Sequence, residues 1–177
     1  MRMKRFLLAA GLAVSLNSAL SHAQVAAAPS ADTVPSREPF TLKLHDKDQD
    51  YEQHFDTRVP FVEDNSVYLF AGEKFGVNFK IVGSNIVGVT YQPVAKKADV
   101  WFTFTQEKQL AAGLGMTLVI QNRVKHVLRM DGLMTVPHRE GSYKTGVLAT
   151  GPGLSNFEAW PYPIVQLTLK NFRLSER

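Results

Sequence analysis

The densest cluster of chemistry-bearing side chains is His45-Asp-Lys-Asp-Gln-Asp-Tyr-Glu-Gln-His54-Phe-Asp56. Asp46, Asp48 and Asp50 fall at the alternate positions that supply the first oxygens of an EF-hand calcium loop. The match then ends, because Tyr51 stands where the sharp turn needs Gly and Thr57 where a bidentate Glu would close the cage. Alternating carboxylates on an extended segment still suit Ca²⁺, weakly, which makes Asp46, Asp48 and Asp50 the candidate metal ligands. The competing expectation is a solvated, charged edge strand that discourages edge-to-edge pairing. His45 and His54 match no helical or strand metal pair, and a zinc site would need further ligands from distant loops, such as His126 or His138. No other cofactor is implied.

His138-Arg139-Glu140-Gly141-Ser142 carries a base, a carboxylate and a hydroxyl within five residues. A catalytic triad converges in space from separate loops, and adjacent residues do not meet at one point. The chain has no Gly-x-Ser-x-Gly elbow, no His-Glu-x-x-His and no phosphate-cradling P-loop. Gly113-x-Gly115 and Gly151-x-Gly153 lack the strand-to-helix setting of a dinucleotide loop. His126 shares the apolar parity of Val124, Leu128 and Met130, which suits a core or rim histidine with a backbone partner.

Thr150-Gly-Pro-Gly-Leu-Ser-Asn-Phe-Glu-Ala-Trp-Pro-Tyr-Pro163 interrupts regular structure with Gly and Pro while supplying three large rings. Phe157, Trp160 and Tyr162 are therefore the candidate binding residues, since aromatics on a loop offer contact area at low entropic cost. Trp beside Tyr also suits stacking on a sugar. The competing expectation is that these rings fold back and plug one end of the core. Trp101, on the polar parity of its segment, belongs either to a second packed face or to a second exposed anchor.

The elements that must position these residues have a period of two. Phe40, Leu42 and Leu44; Phe75, Val77, Phe79 and Ile81; Val100, Phe102 and Phe104; and Val165, Leu167 and Leu169 each alternate with more polar neighbours. Each series places one apolar face toward a core and one toward water. Gly83-Ser84 reads as a two-residue hairpin turn. Gln121-Asn122-Arg123 reads as a reversal in which Asn122 takes a positive φ, and Asp131-Gly132 as a further reversal. Only Glu107–Leu114 has the composition for a helical turn. The fold class expected is all-β: an antiparallel β-sandwich, Ig-like or jelly-roll-like, of about eight strands, with a small β-barrel as the alternative.

Arg2, Lys4 and Arg5, the apolar run Phe6–Leu16 and the small residues of Ser21-His22-Ala23 have the three parts of a secretory signal over 1–23. Residues 24–38, rich in Ala, Pro and Ser, read as a flexible spacer, and 39–177 as one domain. The 177 residues carry 20 Lys and Arg against 16 Asp and Glu. Without the three basic residues of the signal, 17 face the same 16 acids, and the mature charge is near +1. A nearly neutral domain has no electrostatic footprint for nucleic acid or for anionic lipid, and no membrane span is left in the mature chain. Cysteine is absent, so no disulfide is available, and a domain of this size can bury a sufficient core without one. The expected protein is exported, to the periplasm or beyond, and non-catalytic. It binds an envelope protein or polysaccharide chiefly through the 150–163 loop. The alternatives are an envelope hydrolase of glycan or ester bonds built on His138 and carboxylates, and a calcium-stabilised structural module.

Overall fold

The computed structural model describes residues 34–46, 49–109 and 113–176. The secretory-signal expectation and most of the spacer lie outside these residues. Fourteen strands follow in chain order among the described residues. They are β1 (Ser36–Arg37), β2 (Phe40–Asp46), β3 (Gln49–Phe55), β4 (Val59–Pro60), β5 (Val62–Glu63), β6 (Ser66–Leu69) and β7 (Glu73–Val82). Then come β8 (Asn85–Gln92), β9 (Val100–Gln109), β10 (Gly113–Asn122), β11 (Val127–Thr135), β12 (Tyr143–Thr145), β13 (Ser155–Trp160) and β14 (Gln166–Ser175).

Ten of these strands make two five-stranded antiparallel sheets that pack face to face as a β-sandwich, so the fold class is the expected one and the barrel alternative falls away. The front sheet runs β13-β10-β9-β7-β8 and the back sheet β12-β11-β14-β6-β5. Alternation does the work: Phe102 and Phe104 on β9, Met116, Leu118 and Ile120 on β10, and Leu167 and Leu169 on β14 are fully buried between the sheets. Phe75 and Val77 join them, but β7 outruns the core. Phe79 is half-buried and Ile81 is exposed beyond the irregularity at Lys80/Ile81. The β7–β8 hairpin closes as expected through Gly83, at φ 62, and Ser84.

The β2–β3 hairpin and the β1–β4 pair cover one end of the sandwich. Leu42 and Leu44 are buried with Phe70 and Val165 in a second cluster. Phe40 stacks on Phe55 at 4.7 Å, and both rings meet Phe70 edge-on at 5.1 and 5.0 Å.

Several local expectations are corrected. Ser36–Arg37 is a strand paired with Val59–Pro60, so the folded domain starts inside the segment read as spacer. Arg37 is the reason, because its buried guanidinium has partners deep in the domain (Discussion). Asp131-Gly132 is no turn but the middle of β11, paired with Lys170 and Leu169. Glu107–Gln109 pairs with Gly113–Gly115 as strand rather than helix, because β-ladder bonds to β10 continue through both glycines. Asn122 does not take a positive φ, and the segments it joins lie in different sheets. Val124 packs inward, but His126 is exposed in the arch, where its carbonyl accepts from Asn122 Nδ2.

Candidate functional site

The three rings of the 150–163 segment do not form one surface. Ser155–Trp160, expected as loop, is the edge strand of the front sheet, and alternation along it decides where each ring goes. Trp160 points inward, 6% exposed, edge-on to Phe104 at 6.4 Å, with its Nε1 donating to Thr145 Oγ1 at 2.8 Å. That correction removes Trp160 as a contact for a partner, because its ring is core and its polar atom is already bonded. Phe157 points outward and is 67% exposed. Tyr162 lies beyond the strand on the wall of a cleft of about 380 Å³, shared with Tyr143, Arg139 and Met134. Its hydroxyl approaches Met134 Sδ at 3.7 Å.

The outward face of the front sheet assembles what the sequence left scattered. Phe157, Val119, Thr103 and Lys74 stand side by side across β13, β10, β9 and β7. In the next row Ser155, Gln121, Trp101, Gly76 and Gln92 are neighbours in the same way. Thr105 and Thr117 form the row on the other side of Phe157. A Cβ on Gly76 would lie 2.9 Å from Trp101 Cε3, so the indole lies against the β7 backbone where a side chain is missing. Trp101 is half-buried in this position. The sheet geometry puts the Trp101 and Phe157 positions two strands and two residues apart, roughly 12 Å on the diagonal. Between them stand neutral groups: Val119, Thr103, Gln121 and Ser155. Charges occupy the rim, where Glu107 accepts from Thr105 Oγ1 at 2.8 Å and Arg123 donates to Gln121 Oε1 at 3.2 Å. Trp101 on a polar parity was the signal in the sequence. The register that sets Phe157 two strands away was not visible there.

The acidic segment is the β2–β3 hairpin. Its outer face is a ladder of cross-strand pairs: His45 Nδ1 with Asp50 Oδ1, Lys43 Nζ with Glu52 at 3.1 Å, and Thr41 Oγ1 with His54 Nδ1 at 2.8 Å. Asp50 thus points at a histidine across the strand. Asp48 and the Asp46 side chain lie outside the described residues. Among the described residues no group of three or more His, Asp or Glu side chains could hold a metal ion.

The His138–Ser142 segment does not assemble a nucleophile with its base. His138, at φ 58, is exposed with its ring edge-on to Tyr51 at 5.4 Å. Ser142 Oγ instead meets Thr135 Oγ1 at 3.2 Å, and the Glu140 carbonyl accepts from Tyr143 Oη at 2.9 Å. Among the described residues no helix is long and apolar enough to cross a membrane. Compared with known proteins, the chain matches no family model, no curated protein and no solved structure.

Proposed function

We propose that this protein is a non-catalytic binding module that lays a neutral polysaccharide across the outward face of the front sheet. The observation that supports this reading is the pair of outward rings, Trp101 and Phe157, set on one face of the front sheet with Val119, Thr103, Gln121 and Ser155 between them. A sugar ring presents an apolar face that packs on an aromatic ring and a rim of hydroxyls that bonds to neutral donors and acceptors. Thr103 and Thr117 supply such groups without a charge to desolvate, and Thr105 and Gln121 supply them beside Glu107 and Arg123 at the rim. Because the two rings are about 12 Å apart, a chain of linked sugars touches both where a single sugar cannot. The ligand belongs to the cell envelope if residues 1–23 direct export as their basic start and apolar run suggest.

The test is calorimetric titration of the full chain with soluble neutral glucans, mannans and galactans. One of them is expected to bind, and Trp101→Ala and Phe157→Ala are each expected to weaken it by about tenfold, the loss of one stacking contact. Affinity unchanged from wild type in both variants, or no neutral glycan bound, overturns the reading. An envelope protein retained by wild type and lost in both variants moves the ligand class to protein while keeping the face.

A further inference from the structure

We infer that the groove on the outer face of the back sheet, lined by Arg129, Lys144, Lys170 and Arg173, binds a phosphate-bearing ligand. This site lies on the opposite sheet from the aromatic face and does not depend on it. Four cations converge on one groove of about 610 Å³ in a domain whose mature charge is close to neutral. The facing carboxylates are Asp131 within the groove and Asp64 in the adjoining one, which shares Lys170, Asn171 and Arg173.

The backbone is shaped to make this convergence. Alternation on a regular strand would send Lys170 and Arg173 to opposite faces. Between the pairs Arg129↔Arg173 and Asp131↔Lys170, β14 carries one residue more than β11. Asn171 is in the left-handed region there, at φ 54. This bulge lets Leu169 and Phe172 both point inward while Lys170 and Arg173 both face outward. Bulges of this kind re-aim side chains and are common beside functional sites.

The charges are also arranged against the stability of the free protein. Arg129 and Arg173 are direct cross-strand neighbours, and like charges so placed repel. Lys144 and Lys170 form no ion pair with a described residue. Asp131 offsets one charge: its Oδ1 accepts from Arg173 Nη2 at 2.7 Å and its Oδ2 from Asn171 Nδ2 at 2.9 Å. The remaining excess suits a phosphate group, which carries between one and two negative charges and three strong acceptors, better than a single carboxylate. Guanidinium forks from two strands and two ammonium groups provide both the directional bonds and the point charges such a group takes.

Pyrophosphate titrated into the full chain and followed by calorimetry tests the inference. Binding is expected, weakened by about tenfold or more in Lys144→Gln/Lys170→Gln, since two charge-assisted contacts go. Neither lysine forms an ion pair with a described residue, so the double variant is expected to fold. Asp131→Asn is expected to bind several-fold more tightly, because it releases the Arg173 fork and removes a competing charge. Lys96→Gln/Lys97→Gln, a basic pair away from the groove, is expected to change nothing. In parallel, vesicles of phosphatidylglycerol in phosphatidylcholine identify the source of the phosphate. Co-sedimentation that needs Lys144 and Lys170 assigns a lipid headgroup, and pyrophosphate binding without co-sedimentation assigns a soluble phosphate. Binding of neither probe, or equal weakening by the Lys96/Lys97 control, overturns the inference.

Discussion

Arg37 and Glu73, 36 residues apart in the chain, form a two-pronged ion pair inside the end of the sandwich. Arg37 Nε donates to Glu73 Oε1 and Nη2 to Oε2, the latter at 2.6 Å. The guanidinium also donates to the carbonyls of Pro60 at 2.7 Å and Tyr68 at 2.6 Å. It lies 4.1 Å from the centroid of Phe61 and 4.8 Å from that of Phe70. Glu73 Oε2 accepts in turn from the Phe70 amide at 2.8 Å. Strands β1, β4, β6 and β7 are thereby tied to a single charged centre.

That centre predicts a strong asymmetry between single and double substitutions. Glu73→Ala leaves a guanidinium of only 8% side-chain exposure without its counter-ion, a loss of about 3 kcal/mol. Arg37→Met is expected to cost less, because the Glu73 side chain, at 20%, retains some access to water. The double variant Arg37→Met/Glu73→Ala is expected to be more stable than Glu73→Ala alone. Urea unfolding of the three proteins checks the order, and additive losses would contradict the coupling.

Asn122 replaces a backbone turn with a side chain. Its buried Nδ2 donates to the carbonyls of His126 at 2.9 Å, Thr150 at 2.9 Å and Gly151 at 3.1 Å, while Oδ1 accepts from the Val124 amide at 3.0 Å. It holds the arch from front to back sheet. Asn122→Ala is expected to cost about 2–3 kcal/mol through the orphaned groups. Asn122→Asp, although nearly isosteric, is expected to cost more, because a carboxylate oxygen would face three carbonyl oxygens. Thermal unfolding of the two variants decides the order.

What the sequence made legible was whatever depends on neighbours in the chain. The alternation of Val100, Phe102 and Phe104 needs only a two-residue period, and Gly83-Ser84 only a local preference for positive φ. Arg37 reads as spacer in the sequence because its partners, Glu73, Pro60 and Tyr68, are all remote along the chain. Asp131-Gly132 has the composition of a turn, yet Gly132 serves packing: a Cβ there would lie 2.8 Å from Thr145 Cγ2 and 3.0 Å from Val147 Cγ2. The Gly and Pro residues around 150–163 likewise concealed β13, whose pairing with β10 decides that Trp160 is core and Phe157 is surface. The aromatic face and the cationic groove are both products of register, which local composition does not encode.

Gly76 connects the aromatic face to stability. An added Cβ would fall 2.4 Å from Ala98 Cβ and 2.6 Å from the Val100 carbonyl oxygen, as well as against Trp101. Two of these three neighbours are backbone or a short side chain that cannot swing away. Gly76→Ala is therefore expected to destabilise by about 1–3 kcal/mol, the cost of overpacking. It should also displace the indole, visible as a change in tryptophan fluorescence. Trp160 emits from the core on the other side of the sheet, so Trp160→Phe serves as the background in which to read Trp101 alone.

Asp131 provides a pH signature for the groove. The hydrogen bond from Arg173, then that from Asn171, holds its carboxyl below the usual range, at about 2. A folded-state value lower than the unfolded one stabilises the protein at pH values above the unfolded range near 4, and that contribution is lost as pH falls toward 2. Because the pair is largely solvent-exposed, screening limits its worth to about 0.5 kcal/mol. Asp131→Asn is therefore expected to be slightly less stable than wild type at pH 6 and equal to it below pH 2, with the difference closing between these limits. Urea midpoints measured across that interval check the sign. A difference that persists unchanged at pH 2 would show that the carboxylate charge is not what Arg173 and Asn171 hold. High salt at pH 6 should shrink the same difference, since exposed ion pairs are screened.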